Sequence, residues 1–273
     1  MSLLQRLTRT LRPTPLCTKT SATKPLSSNY FSPHSLHRVG LRQRFYSSHN
    51  NHEHNYALNQ NLLYGLMGLN IGIFGYSVYL QVQAKQGFQD PAVNFLRNMT
   101  LNYDEVFREG KWWTIITCVF MHSGILHLGF NMVSTYVLGG MVASIPGMTP
   151  LRLLTIVLGS GLSGSVGHLY LRAHQLKEAK TKYGYRVPDT RRGLGFSGAV
   201  TGLGVVAAFV YPRVKMAIYG IIPAPLWVLM LGFIVWDGYF VNDEKSNVGH
   251  AGHLGGAAFG AFYYLSRMRG LRL

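Results

Sequence analysis

The chain has 273 residues and a formal net charge of +16; 48% of its side chains are hydrophobic and only 13% are charged. A soluble domain carries about a quarter charged residues, so this composition argues against an ordinary soluble domain and for several buried or lipid-facing segments. Two cysteines, Cys17 and Cys118, exclude a disulfide framework and a cysteine-based metal site.

The basicity is concentrated at the start. Residues 1–50 hold eight Lys or Arg and no acid; the first acid is Glu53, and without those fifty residues the net charge falls to +8. This distribution speaks of targeting, and no RNA- or DNA-binding motif accompanies it. Leu3, Leu4, Leu7 and Leu11 fall at helical spacing, while Arg6, Arg9 and Arg12 lie largely off that stripe. A Ser/Thr/Pro-rich stretch without acids comes next, which is the composition of an organellar transit peptide. A secretory signal needs a continuous apolar core, and none is present. Arg44-Phe45-Tyr46-Ser47 resembles a mitochondrial processing site with the cut after Tyr46. The expected organisation is a cleavable, disordered mitochondrial transit peptide over 1–46, a polar segment over 47–60, a membrane domain over 61–266 and a short basic tail over 267–273. Import and processing machinery are the partners this implies. The chloroplast envelope is the alternative address.

A helix needs about 20 apolar residues to cross a bilayer. Stretches between charges supply the candidates: Asn61 to Gln81, Trp112 to Leu151, Arg152 to Arg172, Arg192 to Arg213, Lys215 to Asp237, and Lys245 to Arg267. The second of these is uncharged for 40 residues, too long for one span and too short for two. It divides into a re-entrant or interfacial part over 112–122 and a helix from Gly124 to Ser144. Irregular backbone at membrane depth is tolerated only beside protein or a water-filled cavity, so a cavity is implied. Six spans put both ends on one side. The basic 212–215 turn and Arg267–Arg272 tail agree with this; the acidic 237–248 loop falls opposite, and the basic 173–194 loop is an exception.

Polar groups inside apolar spans are functional candidates. Gly195-Phe196-Ser197-Gly198 opens the fourth span, where glycines allow close approach and a helix N-terminus offers N–H groups to an anion. Gly198 and Gly202 are equally the small residues of ordinary helix packing. His253 opens the sixth span beside a stripe of Gly252, Gly256 and Gly260; it is either a hydrogen-bonded packing residue or a base brought to Ser197. His127 and Asn131 share a helix face in the second span. They serve either as donors to a developing oxyanion or as an interhelical hydrogen-bond pair. His122, His168 and His250 are further polar candidates, but no carboxylate or cysteine accompanies them. His52-Glu53-His54 has the wrong spacing for a zinc site. No metal and no cofactor is expected.

Taken together, His127-x-x-x-Asn131, Gly195-x-Ser197-Gly198 and His253-x-x-Gly256-x-x-x-Gly260, in this order and in these spans, resemble the rhomboid family of intramembrane serine proteases, over roughly residues 60–266. The resemblance implies an all-α membrane protein. It would be a bundle of six transmembrane helices with a half-embedded loop between helices 1 and 2 and a movable fifth helix over a water-filled cavity. It implies a Ser–His dyad without a third, acidic member, Ser197 being nucleophile and His253 general base and acid. His127, Asn131 and the Ser197 N–H would form the oxyanion hole. Gly195 and Gly198 would shape the turn around Ser197, and Gly256 and Gly260 would press the sixth helix to the fourth. Substrates would be membrane proteins with transmembrane helices, met within the bilayer of the mitochondrial inner membrane. Many members carry Trp-Arg before span two; here Trp113-Thr114 stands in that place. An inactive relative that binds membrane helices is the alternative function. A small transporter or channel is a second, although no internal repeat is visible.

Overall fold

The computed structural model describes residues 33–218, 222–243 and 245–269. The chain divides into two units, residues 1–45 and 46–273, and the second holds nearly all of the internal packing. Residues 1–32 of the expected targeting segment lie outside the described residues. From Pro33 the backbone belongs to the first helix, α1 (Pro33–Lys85), which also takes in the expected polar segment 47–60.

Among the described residues, three helices are long and apolar enough to cross a membrane: Asn51–Lys85 within α1, α5 (Ile125–Ala143) and α6 (Pro150–Tyr183). In α1 the buried residues Asn59, Leu63, Leu66, Asn70, Ser77 and Leu80 recur every three, four or seven positions, which makes one stripe of the helix. The other face is apolar too: Tyr64, Leu69, Ile71 and Tyr76 are all exposed. A helix that is apolar on its outer face as well as its inner one fits lipid rather than water. Asn59 Nδ2 donates to the carbonyls of Ala143 (3.2 Å) and Met148 (3.0 Å), tying α1 to the end of α5.

Between α1 and α5 lie α2 (Gln89–Met99), α3 (Tyr103–Glu109) and α4 (Thr114–Thr117), then a 3-10 turn over Cys118–Phe120. The region expected to be re-entrant is thus a run of short helical turns. Helix α6 outlasts its apolar part and ends only at Tyr183. Residues 175–182 are nearly all good helix formers, so much of the stretch expected as a loop over 173–194 is helix.

The shorter apolar helices are α7 (Ser197–Val210) and α8 (Leu226–Phe240), after which comes α9 (His250–Tyr263) with a π turn to Met268. The chain is not wholly helical. Strands β1 (Lys215–Ile218) and β2 (Ile222–Pro225) pair antiparallel, with Lys215 opposite Pro225. Prolines at 223 and 225 remove backbone donors and clash with a preceding helical turn, so the fifth apolar stretch begins as a hairpin and turns helical only at Leu226. A second correction concerns Asp237. The charge pattern makes it the opening of an acidic loop; it lies inside α8, and with Leu226 it is one of the two buried residues of that helix.

Helices α6, α7 and α9 meet backbone to backbone. Added to Gly164, a Cβ would sit 2.7 Å from the Gly252 carbonyl oxygen; added to Gly256, it would fall on the carbonyl of Gly198; added to Gly260, on that of Gly202. Lipid gives no hydrophobic drive for helices to associate, so small residues that permit dense van der Waals contact decide where they pack. This contact brings the first turns of α7 and α9 side by side.

Candidate active site

Ser197 is the first residue of α7. The turn before it is pinned from several sides. Gly193 bridges Leu101, and Gly195 N–H donates to the Cys118 carbonyl at 2.9 Å. Phe196 is fully buried against Phe120. Gly195 has φ +121, and a Cβ there would lie 2.9 Å from the His127 ring. Only glycine meets both conditions. The first bond of α7 runs from Val200 N–H to the Phe196 carbonyl, so the N–H groups of Ser197, Gly198 and Ala199 head the helix.

His253 lies in the first turn of α9, and its Nε2 is 2.9 Å from Ser197 Oγ. For Nε2 to accept the hydroxyl proton, the ring's other nitrogen, Nδ1, must carry the hydrogen. That nitrogen faces Asp237, at 3.1 Å from Oδ2 and 3.2 Å from Oδ1. His250 Nδ1 reaches the same Oδ1 at 2.6 Å, and its Nε2 meets Ser246 Oγ at 2.9 Å. The Phe233 ring leans over His253, with centroids 5.2 Å apart.

On the other side of Ser197, α5 contributes His127 and Asn131. His127 Nδ1 lies 3.1 Å from Ser123 Oγ, which leaves Nε2 to the cavity. Asn131 Nδ2 donates one hydrogen to the His127 carbonyl at 2.9 Å, and the amide has a second to offer. All four residues, Ser197, His253, His127 and Asn131, line one cavity of about 1190 Å³ that Met230 and Phe233 of α8 help to wall. A hydroxyl bonded to an imidazole, with N–H donors opposite, is the arrangement for nucleophilic attack on a carbonyl.

The expected glycines divide by role. Gly195 shapes the turn, while Gly198, Gly256 and Gly260 form the contact between α7 and α9. The expectation of no acidic partner is corrected by Asp237. Spans two, four and six hold no acid, and the carboxylate comes instead from α8, where an acid closing an apolar run looks like a boundary. The same carboxylate accompanies His250 and His253, which have none beside them along the chain. Asp237, His250 and His253 offer ligand atoms within 4.8 Å of one another. The 2.6 Å separation of His250 Nδ1 from Oδ1 is that of a direct hydrogen bond, closer than two ligands of one zinc ion at ~2 Å each from the metal.

The loop carrying Ser197 is held by an ionic network that joins it to α3 and to Arg172 of α6. Asn102, which caps α3, donates to the carbonyls of Asp189 and Arg191, and Arg172 pairs with Asp189. Glu105 is buried among Arg192, Arg97 and Lys111. Burial by itself raises the pKa of Glu105, but hydrogen bonds from Arg192 and Arg97 and the nearby positive charges outweigh it, and the net shift is downward. Asp104 is likewise lowered: desolvation opposes the shift, and the Asp189 N–H and Arg186 overcome it. Thr114, which follows Trp113 in the place where the resemblance leads one to expect Arg, is fully buried and donates to the Lys111 carbonyl at 2.7 Å.

A family model described as a rhomboid domain matches residues 109–269. The chain belongs to the rhomboid family. Among curated relatives, the "RHOMBOID-like protein 12, mitochondrial" of Arabidopsis thaliana is 32% identical over 177 residues, 64% of this chain and 52% of that protein. The "Rhomboid protein 1, mitochondrial" of Saccharomyces cerevisiae is 27% identical over 213 residues, 76% of this chain and 54% of that one. The "Rhomboid protease AarA" of Providencia stuartii is 25% identical over 205 residues, 72% of this chain and 68% of that protein. This rhomboid chain therefore spans about half the length of the two mitochondrial relatives.

Proposed function

We propose that this rhomboid is an intramembrane serine endopeptidase of the mitochondrial inner membrane that cleaves transmembrane segments of other membrane proteins. The observation that carries the reading is the 2.9 Å contact between Ser197 Oγ and His253 Nε2 within the cavity. The names of the Arabidopsis and yeast relatives support the mitochondrial address, as does the basic, acid-free start of the chain.

In this reading α1, α5, α6, α7, α8 and α9 make six crossings, and residues 112–122 form a half-embedded loop. Helix α7 has 14 residues, a rise of about 21 Å, against a hydrocarbon core of about 30 Å. One end of it stops inside the bilayer, and Ser197 heads that end. With the N-terminus in the matrix, the cavity faces the intermembrane space.

A substrate helix unwinds at the cavity mouth, beside α8. Ser197 Oγ attacks the scissile carbonyl while His253 Nε2 takes its proton. His127 Nε2–H, the second hydrogen of Asn131 Nδ2 and the Ser197 N–H bind the oxyanion. His253 then protonates the leaving amine. Water, deprotonated by the same imidazole, hydrolyses the acyl-enzyme and restores Ser197.

The test is purified chain in proteoliposomes with a fluorescent transmembrane peptide, with and without a serine-reactive fluorophosphonate. Cleavage and labelling, both lost in Ser197→Ala and in His253→Ala, are expected. Binding of the peptide without cleavage or labelling by the wild type would make the protein a non-enzymatic binder of membrane helices.

A further inference from the structure

The buried carboxylate of Asp237 has no role in a two-residue mechanism. It is 1% exposed, yet the described cations Arg172, Arg191 and Arg192 engage Asp189, the Ser246 carbonyl and Glu105 instead. A buried anion left without partners is costly. Its partners here are two imidazole N–H groups, those of His250 and His253.

We propose that Asp237 is a positioning residue for the Ser197–His253 pair and that His250 is the strut that holds it. The proposal rests on the protease reading and goes beyond it. The hydrogen bonds converge on the carboxylate from both sides. Ser246 Oγ–H donates to His250 Nε2. His250 Nδ1–H donates to Asp237 Oδ1. His253 Nδ1–H donates to the same carboxylate, which leaves His253 Nε2 as acceptor for Ser197 Oγ–H. An ionised carboxylate only accepts, so it fixes the hydrogen of His253 on Nδ1. Without it the neutral ring is free to carry its hydrogen on Nε2, where it cannot accept from the nucleophile. During attack, the same anion faces the imidazolium that forms.

The strut also joins two regions. Ser246 lies in the segment between α8 and α9; its hydroxyl accepts from Val248 N–H, and its carbonyl accepts from Arg191 Nη1 in the loop before Ser197. The α8–α9 connection is thereby coupled to both partners of the reaction.

The substitution that isolates this role is Asp237→Asn, which keeps the shape and puts an N–H donor in place of one of the two acceptor oxygens that His253 Nδ1 faces. In the full chain in proteoliposomes, kcat is expected to fall by about 10²- to 10⁴-fold, with KM changed by less than about threefold, as for loss of an orienting carboxylate. His250→Gln should fall by about tenfold, since it loosens the carboxylate without removing it. Asp237→Glu should recover part of the loss. Nitrogen NMR of histidine-labelled protein gives a readout independent of turnover: His253 is expected as the Nδ1–H form in the wild type and as the Nε2–H form in Asp237→Asn. Wild-type kcat in Asp237→Asn, or an unchanged His253 tautomer, overturns the proposal. If Asp237→Asn fails to fold, His250→Gln and Asp237→Glu carry the same comparison, and equal kcat in both variants and wild type overturns it. A wild type that neither labels nor cleaves defeats the protease reading instead, and the tautomer measurement still decides whether Asp237 sets the His253 proton.

Discussion

The carbonyl of Gly198 occupies the place where a side chain on residue 256 would begin. Helices α7 and α9 therefore meet backbone to backbone at this point, one turn away from where Ser197 and His253 meet. Gly256→Ala is expected to push the helices apart. Overpacking of this kind costs about 1–3 kcal/mol, and the Ser197–His253 contact should lengthen with it. A lower Tm in detergent and a loss of fluorophosphonate labelling would check this. Gly232→Ala, where an added Cβ meets nothing within 4 Å beyond its chain neighbours and its own helix backbone, should leave both unchanged.

At Gly195 the penalty is twofold. Gly195→Ala places a side chain at φ +121, a backbone region costing on the order of 1–3 kcal/mol for other residues, and drives its Cβ against His127. Turnover should fall more than stability does, because the displaced ring belongs to the proposed oxyanion site. Parallel Tm and kcat measurements test this; a variant with native kcat would show that the turn tolerates a side chain.

His127→Ala and Asn131→Ala each remove a donor aimed into the cavity. Loss of one oxyanion donor typically lowers kcat by about 10²- to 10³-fold, with little change in KM. The double variant should lose less than the product of the two, because Asn131 bonds the His127 carbonyl and the two share one helix face.

Acid should loosen the loop network before the bundle. The native pKa of Glu105 is lowered. A carboxylate lowered on folding contributes stability above its unfolded pKa and loses it as pH falls through the native value. The contribution is thus whole at pH 7 and declines below the ordinary glutamate value of about 4.3. Glu105→Gln should have a lower Tm than wild type at pH 7, and the difference should shrink as the pH is taken towards 3. A constant difference across that range would remove Glu105 as the titrating group.

The sequence is most legible where a single segment carries the information. Leu3 to Arg12 displays its amphipathic spacing within ten residues, and the apolar stretches show their length between charges. The glycine spacing of Gly252, Gly256 and Gly260 marks a smooth helix face. These features, with the order of the His, Ser and His motifs, are enough to point to the family. Helix ends are less legible: α6 runs on to Tyr183 because its polar residues are also good helix formers, and Pro223 and Pro225 turn the start of the fifth apolar stretch into a hairpin.

What the sequence determined by itself was therefore local: hydropathy over about 20 residues, helical faces and small-residue spacing, each fixed by neighbours along the chain. Only the tertiary structure decided that an acid in α8, 16 positions before His253, meets its ring, and that His250 holds the same carboxylate. The meeting depends on how far α8 runs, on its rotation and on how it leans on α9. No local pattern encodes those quantities; they come from packing.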